Sequence, residues 1–151
     1  MVFEDFIKSE EYPFEAQTDI WGDSVRILVD LDDKEDYVTA LRGYISPINA
    51  KLKWLCENRE SVLDCIVGAG MIAMAEHRVG NMEDAGEMSL PIEEELFRSG
   101  VHLDEIIACC DEGHSNVTLE CYLVCKPDYF SGQPIQLFVN PDLSLYCNGV
   151  V

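Results

Sequence analysis

The chain has 151 residues, and its 29 Asp and Glu against 10 Lys and Arg give a formal net charge of −19 at pH 7. A surface this acidic repels phosphate backbones and anionic lipid while attracting basic proteins, so nucleic-acid and membrane-surface binding are set aside. A hydrophobic fraction of 48% rules out a disordered acidic chain and fits one domain over residues 1–151.

Residues 1–13 are acidic with scattered aromatics and read as a docking segment or a short helix. The opening Met1–Phe6 stretch lacks the basic and apolar regions of a signal peptide, and no apolar run approaches the ~18 residues that span a bilayer. The 7 cysteines are an odd number and lie mostly in apolar runs, so they read as reduced, buried thiols in a cytoplasmic protein.

Phe14, Ala16, Thr18 and Ile20 alternate with polar residues, Gly22-Asp23 signals a turn, and Val25, Ile27, Val29 and Leu31 resume the alternation. This predicts a β-hairpin with one buried face. At Asp32 the period changes. Asp32 with Glu35 has the form of a capping box, and Asp33, Glu35 and Asp36 place negative charge at a helix start. Tyr37, Leu41, Tyr44, Ile45, Ile48, Leu52 and Leu55 follow at helical spacing, with Pro47 expected to kink or split that helix. A second helix is expected from about Glu60 to His77, burying Val62, Ile66, Ala69 and Ala73 and weakened by Gly68 and Gly70. Residues 80–90 read as a loop, and Pro91 is expected to open a short helix that Gly100 ends.

The remainder is β. Ile106, Ala108 and Cys110 alternate, Glu112-Gly113-His114 turns the chain, and Val117, Leu119, Cys121, Leu123 and Cys125 occupy every second position. The Pro127–Gly132 loop leads to Ile135, Leu137 and Val139, then Asn140-Pro141-Asp142 turns into Leu143, Leu145 and Cys147. The expectation is an α+β fold: an antiparallel sheet, made of the hairpin plus a C-terminal meander, with two or three helices packed on one face.

Trp21-Gly22-x-x-Val25, Asp30-Leu31-Asp32-Asp33, Glu95-Leu96-Phe97 and Asp128-Tyr129-Phe130-x-Gly132-x-x-Ile135 stand in this order over residues 14–150. In that order the chain resembles a family of uncharacterised bacterial cytoplasmic proteins, a domain of unknown function. That family commonly has His after the last glycine, whereas Gln133 stands here, so any chemistry resting on that His is lost. The resemblance implies a binding role of the immunity-protein kind.

Catalytic and metal readings fare poorly. The acidic run from Asp30 to Asp36 has Lys34 and Glu35 where a calcium loop needs an oxygen ligand and Gly. Cys121 and Cys125 would lie about 13 Å apart on a strand, too far to share a zinc ion, and no Cys-x-x-Cys pair exists. His114 beside Cys109 or Cys110 suggests a Cys–His nucleophile, but an acidic surround raises a thiol's pKa. Neither a phosphate loop nor a basic patch is present. We therefore expect neither cofactor nor metal.

The functional expectation is a non-catalytic protein-binding domain that neutralises a basic, nuclease-like toxin. A nucleic-acid mimic and a small Cys- or carboxylate-dependent enzyme are the alternatives. Tyr129 and Phe130, in a loop expected to be exposed, are the candidate aromatic contacts. Asp128, Glu93, Glu94, Asp111 and Glu112 are the candidate acidic contacts. Trp21 and Trp54 read as binding anchors if exposed and as staples if buried.

Overall fold

Period-two alternation builds β1 (Phe14–Ile20), β2 (Asp23–Leu31), β3 (Val101–Cys110), β4 (Val117–Cys125), β5 (Ile135–Val139) and β6 (Leu145–Val150). Between β2 and β3, helical spacing builds α1 (Tyr37–Glu57), α2 (Arg59–Gly68), α3 (Met71–Gly80) and α4 (Glu94–Ser99). The computed structural model describes residues 1–32, 36–86, 88–111 and 116–151.

The strands form one 6-stranded sheet in chain order. Neighbours are antiparallel except β2 and β3, which run parallel with Leu28 opposite Ile107 and Leu31 opposite Cys110. The α+β architecture is as expected, but the sheet is mixed rather than wholly antiparallel. A parallel neighbour requires the chain to return to the starting end of the sheet, and α1 to α4 make that crossover.

One face of the sheet packs on the helices. Ile27, Val29, Ile106, Ala108, Leu119, Cys121, Leu123 and Leu137 join Leu41, Ile48, Leu55, Val62, Ile66, Ala75 and Phe97 in a single core. A bulge at Asp104 shifts the register between Leu103 and Glu105, keeping Leu103 in that core while Glu105 turns to the opposite face.

Helix boundaries depart from the sequence pattern for local reasons. The α1 N-cap is Asp36, whose carboxylate accepts from the Thr39 amide at 3.2 Å, so the helix starts later than an Asp32 cap implies. Asp33 and Glu35 lie outside the described residues. Pro47 sits inside α1 without splitting it. The run expected from Glu60 to His77 divides instead, because Gly70 takes φ 85, a left-handed conformation that starts α3 afresh. The break rotates the apolar face: Met71, Ala75 and Val79 are buried, whereas Ala69 and Ala73 are exposed. Pro91 precedes α4 without opening it, and Glu93 is the cap. β6 begins at Leu145, leaving Leu143 in the turn with φ 69 and exposed.

Several contacts tie the periphery down. Trp21 occupies the β1–β2 turn at φ 56, and its indole Nε1 donates to the Leu55 carbonyl at 3.0 Å. Arg59 lies 5.7 Å from its ring centroid, so Trp21 is a staple between hairpin and helices. The Lys51 ammonium, on the buried side of α1, donates to the carbonyls of Asn140 and Pro141 at 2.8 and 2.7 Å. Residues 1–13 are bound to the body rather than free. Ile7 and Glu15 exchange backbone hydrogen bonds at 2.8 Å, and the Met1 ammonium donates to Asn49 at 3.0 Å.

Gly100 is the tightest backbone approach. A Cβ there would lie 2.3 Å from the Lys126 carbonyl oxygen, while one at Gly43, on the outside of α1, meets nothing within 4 Å. Gly100→Ala should therefore cost about 1–3 kcal/mol of stability, as overpacking does. Gly43→Ala should add about 0.5–1 kcal/mol through helix propensity. Urea denaturation of both variants checks this, and equal midpoints would contradict it.

Candidate functional site

The face of the sheet opposite the helices carries a cluster of half-buried charged groups and, at its β6 edge, the exposed ring of Tyr146. The register places Gln17, Arg26, Glu105, Tyr122 and Gln136 in one row across the strands. The adjacent row is Glu15, Leu28, Ile107, Glu120, Phe138 and Tyr146. Asp30, Cys109 and Thr118 form a third. At about 4.8 Å between strands, a six-residue row is about 24 Å long, enough for a protein contact. Leu28 and Ile107 are buried at the centre of this face, apart from the main core.

Arg26 is held between two carboxylates, 2.5 Å from Glu15 and 3.4 Å from Glu105. The hydrogen bond from Arg26 holds the Glu15 carboxyl below its usual range. Glu120 is the hub of the centre. Its Oε1 accepts from the Tyr122 hydroxyl and from Gln136 Nε2, the latter at 2.6 Å, and its Oε2 faces the Cys109 thiol at 4.0 Å. Burial, helped by Asp32 and Glu120, pushes Asp30 above the usual carboxylate range. Burial, then the charges of Asp30 and Glu120, does the same to the Tyr12 hydroxyl. Tyr122 is pushed up to about 12 by burial and its bond to Glu120. Neither Asp30 nor Glu120 pairs with a cation among the described residues. Towards β6 the face ends in an aromatic platform: Tyr146, 58% exposed, stacks on Phe138 with ring centroids 6.3 Å apart.

The contacts expected from sequence do not form one site. Tyr129 and Phe130 are 2% and 1% exposed, so they are core rather than surface anchors. The cause is local. Asp128 Oδ1 accepts from the amides of Phe130 and Gly132 at 3.3 and 3.0 Å, turning the loop inward, and Tyr129 stacks on Phe97 at 5.9 Å. Burying such side chains is worth about 1.5–3 kcal/mol each, which overrides the tendency of loops to lie outside. Asp128 thus shapes the loop, although it remains exposed. Glu93 and Glu94 are exposed at the start of α4, and Glu94 pairs with Arg98 at 3.2 Å. Asp111 follows the far end of β3, about 33 Å along the strand from the α4 end, so it shares no surface with them. Glu112 lies outside the described residues, as does His114.

The cysteines are less uniform than expected: Cys110, Cys121 and Cys125 are buried, whereas Cys56 is exposed. Cys109 and Cys110 are pushed up to about 12, mainly by burial and secondarily by neighbouring groups that include Asp30 and Asp111. At neutral pH both are thiols, poor nucleophiles. His102 contacts Asp23 at 3.0 Å and His77 contacts Asn81, so neither histidine serves a cysteine. Among the described residues, no group of three or more His, Cys, Asp and Glu is arranged to hold a metal ion, and no helix is long and apolar enough to cross a membrane. Comparison with family models, curated proteins and solved structures gives no match.

The sequence contained the open face in disguise. Thr118, Glu120 and Tyr122 are the polar alternates of β4, but only the register with β3, β5 and β6 sets them beside Cys109, Gln136, Phe138 and Tyr146. Native-state alkylation with iodoacetamide at neutral pH should label Cys56 first and leave Cys109, Cys110, Cys121 and Cys125 to react only in denaturant. Rapid labelling of Cys109, at or above the rate of a free thiol, would contradict this account of the site.

Proposed function

We propose that the protein is a non-catalytic binding protein that captures a basic protein partner on the open face of its sheet. The partner class that fits best is a nuclease-like toxin, whose own nucleic-acid site is basic, and the role is that of an immunity protein acting in the cytoplasm. The observation that carries this reading is the face itself: the half-buried carboxylates Asp30 and Glu120, which pair with no cation among the described residues, beside a stacked pair in which Phe138 is half-buried and Tyr146 exposed, on a chain of net charge −19. The Trp21-Gly22 and Asp128–Ile135 motifs resemble those of a family of uncharacterised bacterial proteins, a domain of unknown function, and the binding role that this resemblance implies points the same way.

Charge and aromatics do different jobs in such a surface. The carboxylates steer the encounter, allowing association at about 10⁸ M⁻¹s⁻¹ at low salt, while desolvated aromatic anchors slow dissociation. The face fits a protein partner better than it mimics a nucleic acid, because its carboxylates give way to the Phe138–Tyr146 aromatic pair towards β6 rather than continuing as an unbroken ridge. A cysteine-dependent enzyme is disfavoured by the protonated state of Cys109.

Stopped-flow association with a panel of basic ribonucleases and deoxyribonucleases tests the proposal. At least one member should bind and lose activity, with an association rate falling about tenfold or more between about 10 mM and about 0.5 M salt. Binding whose rate ignores salt, or no binding across the panel, would overturn it.

A further inference from the structure

We infer that the open face recognises guanidinium groups, so that the partner's anchor is an arginine set on the Phe138–Tyr146 platform and hydrogen-bonded to Glu120. This rests on the reading of the face as a surface for a basic partner, and it names the chemistry that the partner must present.

Three features converge on arginine rather than lysine. The first is the platform. Tyr146 and Phe138 stack with an interplanar angle of 23°, and while Phe138 is half-buried Tyr146 is 58% exposed, so the pair offers aromatic surface to solvent through Tyr146. A planar guanidinium stacks on such a surface and sheds its water more readily than an ammonium does.

The second is the acceptor. In the register, Glu120 stands directly opposite Phe138, one strand inward from Tyr146. Its Oε1 is taken by Tyr122 and Gln136, which fix the carboxylate, while among the described residues Oε2 accepts only from the Cys109 thiol, at 4.0 Å. A carboxylate offers about four acceptor positions, and a thiol is a weak donor, so Oε2 retains room for an N–H.

The third is the missing counter-charge. Arg26 on this face is already engaged by Glu15 and Glu105, and among the described residues neither Glu120 nor Asp30 pairs with a cation. Glu120 and Asp30 are therefore left as half-buried carboxylates that a guest cation would satisfy. The protein itself packs arginine on aromatics elsewhere, with Arg42 3.9 Å from the Phe3 ring centroid.

The test compares nona-arginine with nona-lysine, peptides of equal length and charge, by isothermal titration calorimetry at about 0.15 M salt. The wild-type protein should bind nona-arginine at least about tenfold more tightly. Tyr146→Ala combined with Glu120→Gln should abolish that preference while changing nona-lysine affinity less than about twofold. Tyr146→Phe keeps the ring and should keep the preference, and circular dichroism of each variant controls for folding. Equal affinities for the two peptides, or a preference that survives the double substitution, would overturn the guanidinium claim and leave the basic-partner reading standing. If neither peptide binds even at low salt, both fall.

Discussion

The parallel pairing of β2 with β3 is the constraint on which this molecule depends. It joins the N-terminal hairpin to the C-terminal meander across the entire helical middle of the chain. It also fixes the phase of every side chain on both sheet faces. Leu28 opposite Ile107 secures it from the open side, and Ile27 opposite Ile106 and Val29 opposite Ala108 secure it from the core side. A slip of one residue in β2 would drive Arg26 and Asp30 into the helices and expose Ile27 and Val29. The bulge at Asp104 then corrects the phase along β3, so that Val101 and Leu103 stay inside while Glu105 meets Arg26 outside.

Electrostatics follow from that framework. The protein has few cations and uses several of them internally. Arg98 gathers Glu60, Asp64 and Glu94, Arg59 donates to the carbonyls of Arg98 and Val101, and Lys51 caps the Asn140–Pro141 turn. Solvent screens such exposed pairs, so they contribute less than the burial of Phe97 that anchors the same short helix. Their larger consequence is distributional. With these cations committed, Asp30 and Glu120 on the sheet's other face pair with no cation among the described residues.

The division between what was legible in the sequence and what was not has a physical basis. Alternation located β1 and β2 and the core side of β4 because each depends only on residues two apart. Helical spacing located α1 but misjudged its start, since Asp36 outcompeted Asp32 as a cap. The glycine run before Met71 was recognised as weak, yet the left-handed turn at Gly70, which re-aims α3, is set by backbone geometry rather than by pattern. The candidate site was the larger miss. The general habit of loops puts Tyr129 and Phe130 outside, whereas Asp128 folds their loop onto Phe97. The face that stands open is assembled from six strands far apart in sequence, and nothing local signals that Glu120 will meet Phe138 and Gln136.

Helices fill one side of the sheet, and the other side, the surface proposed for a basic partner, holds half-buried carboxylates beside the Phe138–Tyr146 pair. Its fixed hydrogen bonds at Glu120 and its stacked pair at Phe138–Tyr146 would cost little further ordering when a partner arrives. The most direct test of this account is to map a bound basic ligand by NMR, following aromatic and side-chain amide signals as nona-arginine is added. The account predicts shifts concentrated at Tyr12, Tyr122, Gln136, Phe138 and Tyr146. Shifts centred instead on the acidic helix surfaces around Glu57, Glu60 and Glu94, or spread evenly over the molecule, would contradict it.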